Sequence, residues 1–260
     1  MDFPNAVAGF GVGFMVGLTG VGGGALMTPI LVLLFGVTPA AAVGTDLWFA
    51  ALTKLAGGAM HHSKGSVDWE VMRRLCLGSL PVSIGTLLWL HASGGSQVRH
   101  GLILHALGVV LVLTALAMLL KGRTHAFGLR LRIAEATRFK HAQPALTVAA
   151  GAVLGFLVTL TSVGAGALGA VMLVYLYPFR MTPARLVGTD IVHAIPLTLV
   201  AGTGHLIMGN VDLDLLGKLL LGSIPGVLLG AHLSSKAPEK MLRPAIALIL
   251  VLVGSKLLVS

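Results

Sequence analysis

Charged side chains are scarce in this 260-residue chain: Asp, Glu, Lys and Arg make up 10% of it, against about a quarter in a soluble domain. That shortage excludes a water-soluble globule. Cysteine occurs once, at Cys76, which excludes an intrachain disulfide; in its apolar run the residue reads as a small hydrophobe. Aromatic residues are 5% of the chain, and no aromatic platform, zinc-ligand spacing or long basic arm marks a nucleic-acid binder. A basic amino-terminal region is missing too. Met1 to Gly11 carries Asp2 as its one charge, which argues against a cleaved signal peptide. What is abundant is apolar: 56% of residues are hydrophobic and mean hydropathy is +0.94. The composition is that of an all-α, multi-pass membrane protein with the lipid bilayer as its solvent. The net charge of +9 sits in short loops between apolar runs, as the positive-inside rule expects, so nucleic acid is excluded as a partner.

Against this background one stretch stands out, Leu18-Thr19-Gly20-Val21-Gly22-Gly23-Gly24-Ala25. A close copy, Leu160-Thr161-Ser162-Val163-Gly164-Ala165-Gly166-Ala167, follows 142 residues later. Glycine inside a helix costs about 1 kcal/mol relative to alanine, so a doubled cluster at membrane depth needs a reason. The first apolar block, residues 3–37, would form a straight helix of about 50 Å, too long for a hydrocarbon core of about 30 Å. The glycines divide it into pieces of roughly 15 and 12 residues, each too short to span alone. A re-entrant hairpin of two half-helices fits those lengths; a tilted, broken span is the alternative. Gly9, Gly13 and Gly17 recur at i+4 and leave one helix face bare, which favours close helix packing over ligand contact.

Three conventional spans are expected next, at about residues 39–60, 72–91 and 98–120. A basic linker follows, with Lys121, Arg123, Arg130, Arg132, Arg138 and Lys140 against Glu135. Its Phe127, Leu129, Leu131 and Ile133 alternate with Gly128, Arg130 and Arg132, a strand-like period that suits a short hairpin or an interfacial segment. Beyond it the chain repeats itself. A shift of 144 carries Thr38-Pro39-Ala40 onto Thr182-Pro183-Ala184 and Val43-Gly44-Thr45-Asp46 onto Val187-Gly188-Thr189-Asp190. It also carries Val67-Asp68 onto Val211-Asp212, and Gly78-Ser79 with Pro81 onto Gly222-Ser223 with Pro225. The chain therefore divides into a first membrane repeat (1–120), a basic cytoplasmic linker (121–142) and a second repeat (143–260), the usual build of secondary transporters. If both glycine blocks are re-entrant, six full spans and two broken elements result and the repeats are inverted. Fourteen Lys and Arg then lie on the linker side and three opposite; eight full spans give 11 against six. The bias favours inversion.

Each glycine break starts a new half-helix, at about Ala25 and Ala167. Helix starts carry unpaired amides and a partial positive charge, so they attract anions. Glycine lets an anion approach, and Thr19, Thr161 and Ser162 add hydroxyl donors. Asp46 and Asp190 lie about 10 Å inside their helices, where a carboxylate faces a cavity, a partner or a proton. Asp190 and His193 share a helical face as a potential proton-passing pair, and Lys54 is placed to balance Asp46 or attract an anion; a satisfied structural network is the competing reading. His61 and His205 occupy equivalent span ends, as gate residues or simple interfacial histidines. His61-His62 is no metal signature, because neighbours on a helix point about 100° apart. No nucleophile set and no cofactor fingerprint is apparent, so neither an enzyme, a metal site nor a cofactor is expected.

The doubled T/S-x-G-x-G block, each copy followed by T-P-A…V-G-T and G-x-V-D, resembles the TauE/SafE sulfite-exporter family of membrane permeases over nearly the whole chain. The resemblance implies a multi-pass protein of the cytoplasmic membrane that moves a small anion such as sulfite, thiosulfate or a sulfonate, with export as the expected direction. Carried over by position, it implies that Thr19, Gly20, Gly22, Gly23, Gly24, Thr161, Ser162, Gly164, Gly166, Thr45 and Thr189 line the substrate path. Family members often carry a hydroxyl residue after the V-G-T threonine; here Asp46 and Asp190 stand there, which opens the question of a coupling proton. The expectation is a secondary transporter working by alternating access. An uncoupled anion channel and a non-transporting membrane scaffold are the rivals, and an oligomer is left open.

Overall fold

In a computed structural model the chain is described over residues 3–19, 24–63, 65–93, 96–134, 136–233 and 239–259. These residues form helices and connecting turns, and no strand occurs among them. In order the helices are α1 (Phe3–Thr19), α2 (Gly24–Leu33), α3 (Pro39–Ser63), α4 (Trp69–Ala92), α5 (Ser96–Ala134), α6 (Ala136–Thr161), α7 (Ala167–Leu176), α8 (Pro183–Ile207), α9 (Leu213–Leu233) and α10 (Glu239–Val259). Among the described residues five stretches are long and apolar enough to cross a bilayer, Trp69–Ala92, Gly101–Leu120, Phe139–Thr161, Pro183–Ile207 and Leu213–Gly230.

In the basic linker the short-hairpin reading fails. Its alternating period forms no strand: residues 121–134 continue α5, and α6 opens at Ala136. Helix propagation adds one hydrogen bond per residue fixed, whereas a lone two-stranded hairpin is marginal, so the long α5 simply runs on.

Helix pairing crosses between the two halves. α1 lies along α9, α4 along α6, α3 along α8 and α5 along α10. The first two pairs rest on glycines that admit a neighbouring backbone. A Cβ on Gly9 would stand 2.3 Å from Leu219 O, and one on Gly13 would stand 2.4 Å from Ser223 O. In the other pair, Gly151 meets Leu75 O at 2.2 Å and Gly155 meets Ser79 O at 2.3 Å. From the opposite side Gly222 meets Ala6 O at 1.8 Å and Gly78 meets Val148 O at 1.9 Å. Without an interhelical hydrophobic effect, such close backbone contact is the main cohesion available in lipid. The small faces therefore pack helices.

α6 and α7 fold back on each other. The Gln143 amide donates to Leu176 O, and the hydroxyls of Thr147 and Tyr177 lie 2.7 Å apart, so the end of α7 returns to the early turns of α6. Leu154, Val163, Leu173 and Val174 help to seal this hairpin against α4 and α5 residues such as Leu75 and Leu111. The helix before the break is longer than a half-helix, with 26 residues, and α7 has ten.

Candidate functional site

The second break can be followed atom by atom. Thr161 ends α6 with its hydroxyl donating to Leu157 O at 2.7 Å and accepting the Val163 amide at 3.1 Å. Ser162 then takes φ +58° and Gly164 φ +121°. A non-glycine residue in that left-handed region costs roughly 1–2 kcal/mol and persists only where its surroundings hold it. The N-cap of α7 is Gly166, which offers no side chain to the first amides. All of residues 161–170 are buried. A helix start with its positive pole inside the protein and no capping side chain is thus built into the second half.

Two carboxylates flank it. Asp46 on α3 is fully buried, and its Oδ2 accepts the Thr28 hydroxyl at 2.5 Å. Ser162 stands beside it. Asp46 Oδ1 and Ser162 Oγ have no hydrogen-bond partner among the described residues. Asp190 on α8 lays Oδ1 against Gly169 in the first turn of α7, where a Cβ would be 2.3 Å away. His193 Nε2 meets Ser79 Oγ at 2.9 Å, and Nδ1 has no partner among the described residues. Three residues along α8 offset two side chains by about 60°, so the ring reaches α4 while the carboxylate reaches α7. Lys54 acts electrostatically on Asp46, Asp190 and His193 together. The fold therefore brings Asp46, Asp190 and Ser162 to one buried helix start, with Lys54 in electrostatic range of both carboxylates and of His193. Thr28, Ser79 and Gly169 join them unforeseen. Thr28 is the one hydroxyl in the apolar α2, and Ser79 belongs to the doubled G-S-x-P, so both left a trace in the sequence.

Thr45 and Thr189 lie elsewhere in the same two helices and hold loops. Thr45 Oγ1 accepts the Asp212 amide at 3.0 Å, and Thr189 Oγ1 accepts the Asp68 amide at 2.9 Å. Beside them Gly44 and Gly188 make room for Asn210 O and Ser66 O, at 2.0 and 2.4 Å from a would-be Cβ. Each contact is the other shifted by 144 residues. Asp68 and Asp212 also cap α4 and α9, accepting from Val71 N at 3.2 Å and Leu215 N at 2.9 Å. His205, in the last turn of α8, is buried, with Nε2 2.9 Å from Thr159 O, so it ties α8 to α6. Gly20, Gly22 and Gly23, with the side chains of Thr19 and His61, lie outside the described residues, and Gly24 opens α2.

The Asp68 loop is braced further. Arg180, in the turn after α7, places Nη2 2.7 Å from Asp68 Oδ1 and 2.8 Å from Glu70 Oε2. Burial pulls its guanidinium down, but the Glu70 and Asp68 carboxylates outweigh that and hold it above its usual value. Among the described residues no group of three His, Cys, Asp or Glu side chains could hold a metal ion.

Residues 5–257 match the sequence profile of the sulfite exporter TauE/SafE family. The chain belongs to that family. Within reach of this TauE/SafE protein is YjnA of Bacillus subtilis, named as a probable membrane transporter protein, 41% identical over 265 residues that cover 99% of this chain and 100% of the relative. YdhB of the same organism, also named as a probable membrane transporter protein, is 26% identical over 96% of this chain and 97% of its own length. A probable membrane transporter protein of Xylella fastidiosa is 27% identical over 94% of this chain and 89% of its own. No solved structure matches. The family and its relatives make this TauE/SafE chain a membrane permease, and its apolar helices agree with that.

Proposed function

We propose that this protein is a secondary transporter of a small oxyanion, such as sulfite, thiosulfate or a sulfonate, in the cytoplasmic membrane. The observation that carries the proposal is the buried, uncapped start of α7 with unpartnered Ser162 and Asp46 oxygens beside it. Amides and hydroxyls bind an oxyanion without a permanent cation tight against it, so the anion can leave on the far side. The family name suggests export, and alternating access is the mechanism that secondary transporters of repeated build employ.

The hairpin of α6 and α7 supports a re-entrant second element and inverted repeats. Gln143, Tyr177, Arg180 and Asp68 come together at one end of the fold, as they do if α6 and α7 enter and leave on the linker side. The mirrored Thr45–Asp212 and Thr189–Asp68 contacts support a two-fold relation between the repeats. Asp46 and Asp190, one from each repeat, offer the groups for a coupling proton.

The test is uptake into proteoliposomes of the full chain with a panel of sulfur oxyanions and carboxylates, with and without a proton gradient. Saturable movement of a sulfur oxyanion is expected. Flux that is linear in concentration and insensitive to the gradient would indicate a channel. No flux of any anion would leave a scaffold.

A further inference from the structure

The groups around the α7 start do more than outline a site, because their charges compete with its ligand. Titratable groups reach this point from two helices: Asp46 and Lys54 from α3, and Asp190 and His193 from α8. α2 and α4 contribute the hydroxyls of Thr28 and Ser79, and the break itself contributes Ser162. Two buried carboxylates thus lie in electrostatic range of one ammonium. Both lie where an oxyanion would lie. Asp190 Oδ1 rests on the first turn of α7, and Asp46 stands at the strained Ser162 that precedes it. A carboxylate beside a helix start satisfies the positive pole as a substrate oxyanion would. A second anion added beside two ionised carboxylates is repelled strongly in a buried setting.

Resting on the transport reading, we propose that Asp46 and Asp190 are resident surrogates for the substrate, and that they yield the α7 start to an oxyanion only on taking up a proton, so that the anion and at least one proton cross together. Protonation does two things in one step. It removes a competing negative charge, and it converts an acceptor into an O–H donor that can bond the arriving oxyanion. The proton comes from the side on which the anion binds and leaves with it on the other side; no covalent bond other than the carboxyl O–H forms or breaks. Lys54 stays as the fixed counter-ion. The direction of net movement then follows the combined anion and proton gradients.

The experiment uses the full chain in proteoliposomes with methanesulfonate and thiosulfate, whose charges do not change near neutral pH, so that protons cannot ride on the substrate. A pH dye inside the vesicles reads proton movement alongside labelled anion. The expected result is inward movement of both together, accumulation of the anion under an outside-acid gradient, and a KM that falls as much as tenfold for each unit the external pH is lowered. Asp46→Asn and Asp190→Asn remove the resident charge and keep a donor. The double variant carrying both substitutions is expected to move the anion with a pH-independent KM and without protons. Anion movement unaccompanied by protons in the unmodified protein would overturn the inference while leaving transport intact. A KM slope retained in the double variant would overturn it as well. If neither anion moves at all, the transport reading falls and takes this inference with it.

Discussion

Gly78 and Gly85 lie two turns apart on α4 and should respond in opposite ways to the same change. A Cβ on Gly78 would stand 1.9 Å from Val148 O, where ordinary contact begins at 3.4 Å, so α4 and α6 must part locally by about 1.5 Å. Forcing a methyl group into a packed interface costs about 1–3 kcal/mol, set against a helix-propensity gain of up to about 1 kcal/mol. Gly78→Ala is therefore expected to destabilise by about 1–2 kcal/mol. Gly85 has nothing within 4 Å of its would-be Cβ, so Gly85→Ala keeps the propensity gain alone, about 0.5–1 kcal/mol. At about 2–4 °C per kcal/mol for a chain of this size, the two variants should differ by roughly 5–10 °C in apparent Tm. Cys76, the one cysteine, lies half-buried on the same helix. A thiol-reactive dye can thus report unfolding in detergent without an added probe. Equal midpoints for the two variants would refute the view that these glycines exist to let α4 and α6 touch.

Thr45→Val and Thr189→Val each strand a loop amide that now donates to a buried hydroxyl, and each should cost about 1–3 kcal/mol, measurable in the same assay; a neutral result in both would show that the mirrored loop contacts are idle. Arg180→Ala leaves Asp68, whose side chain is 4% exposed, without its ion pair. Because Arg180 is itself 39% exposed, a loss of about 1–2 kcal/mol is expected rather than the full buried-pair value, with only partial rescue by lysine, which lacks the forked geometry. Gly169→Ala would place a methyl group 2.3 Å from Asp190 Oδ1; proteoliposome flux should fall about tenfold while the midpoint moves by only a few degrees.

Much of the helical layout was legible because apolar length and polar punctuation are local signals. Pro39 and Pro183 open their helices, Asp68 and Asp212 cap the next ones, and the break at Ser162 falls where the glycines do. The linker was misleading, since alternation of Phe127, Leu129, Leu131 and Ile133 is a weak cue beside an already nucleated helix. At the site, Asp46, Asp190 and Ser162 were visible as polar residues at apolar depth. Their neighbours were not. That Thr28 would reach Asp46 and Ser79 would reach His193 depends on which helices lie side by side. That Asp190 reaches Gly169 depends on a rotation of α8 that spacing alone does not specify. Thr45 and Thr189 show the converse case: the motif marks them, and their hydroxyls serve the opposite half's loop.

The crossed pairing of helices sets a timetable for the nascent chain. Gly78 and Gly151 find their partners within one stretch of synthesis, so α4 and α6 can zip together as soon as α6 emerges. Gly9 waits for Leu219. At about 5–20 residues per second, α1 sits in or beside the insertion machinery for roughly 10–40 s with its glycine face bare. During that interval its partner α9 does not yet exist. α1 is made before α4 and α6 yet is locked in after them, and a truncation anywhere before α9 leaves it without that partner.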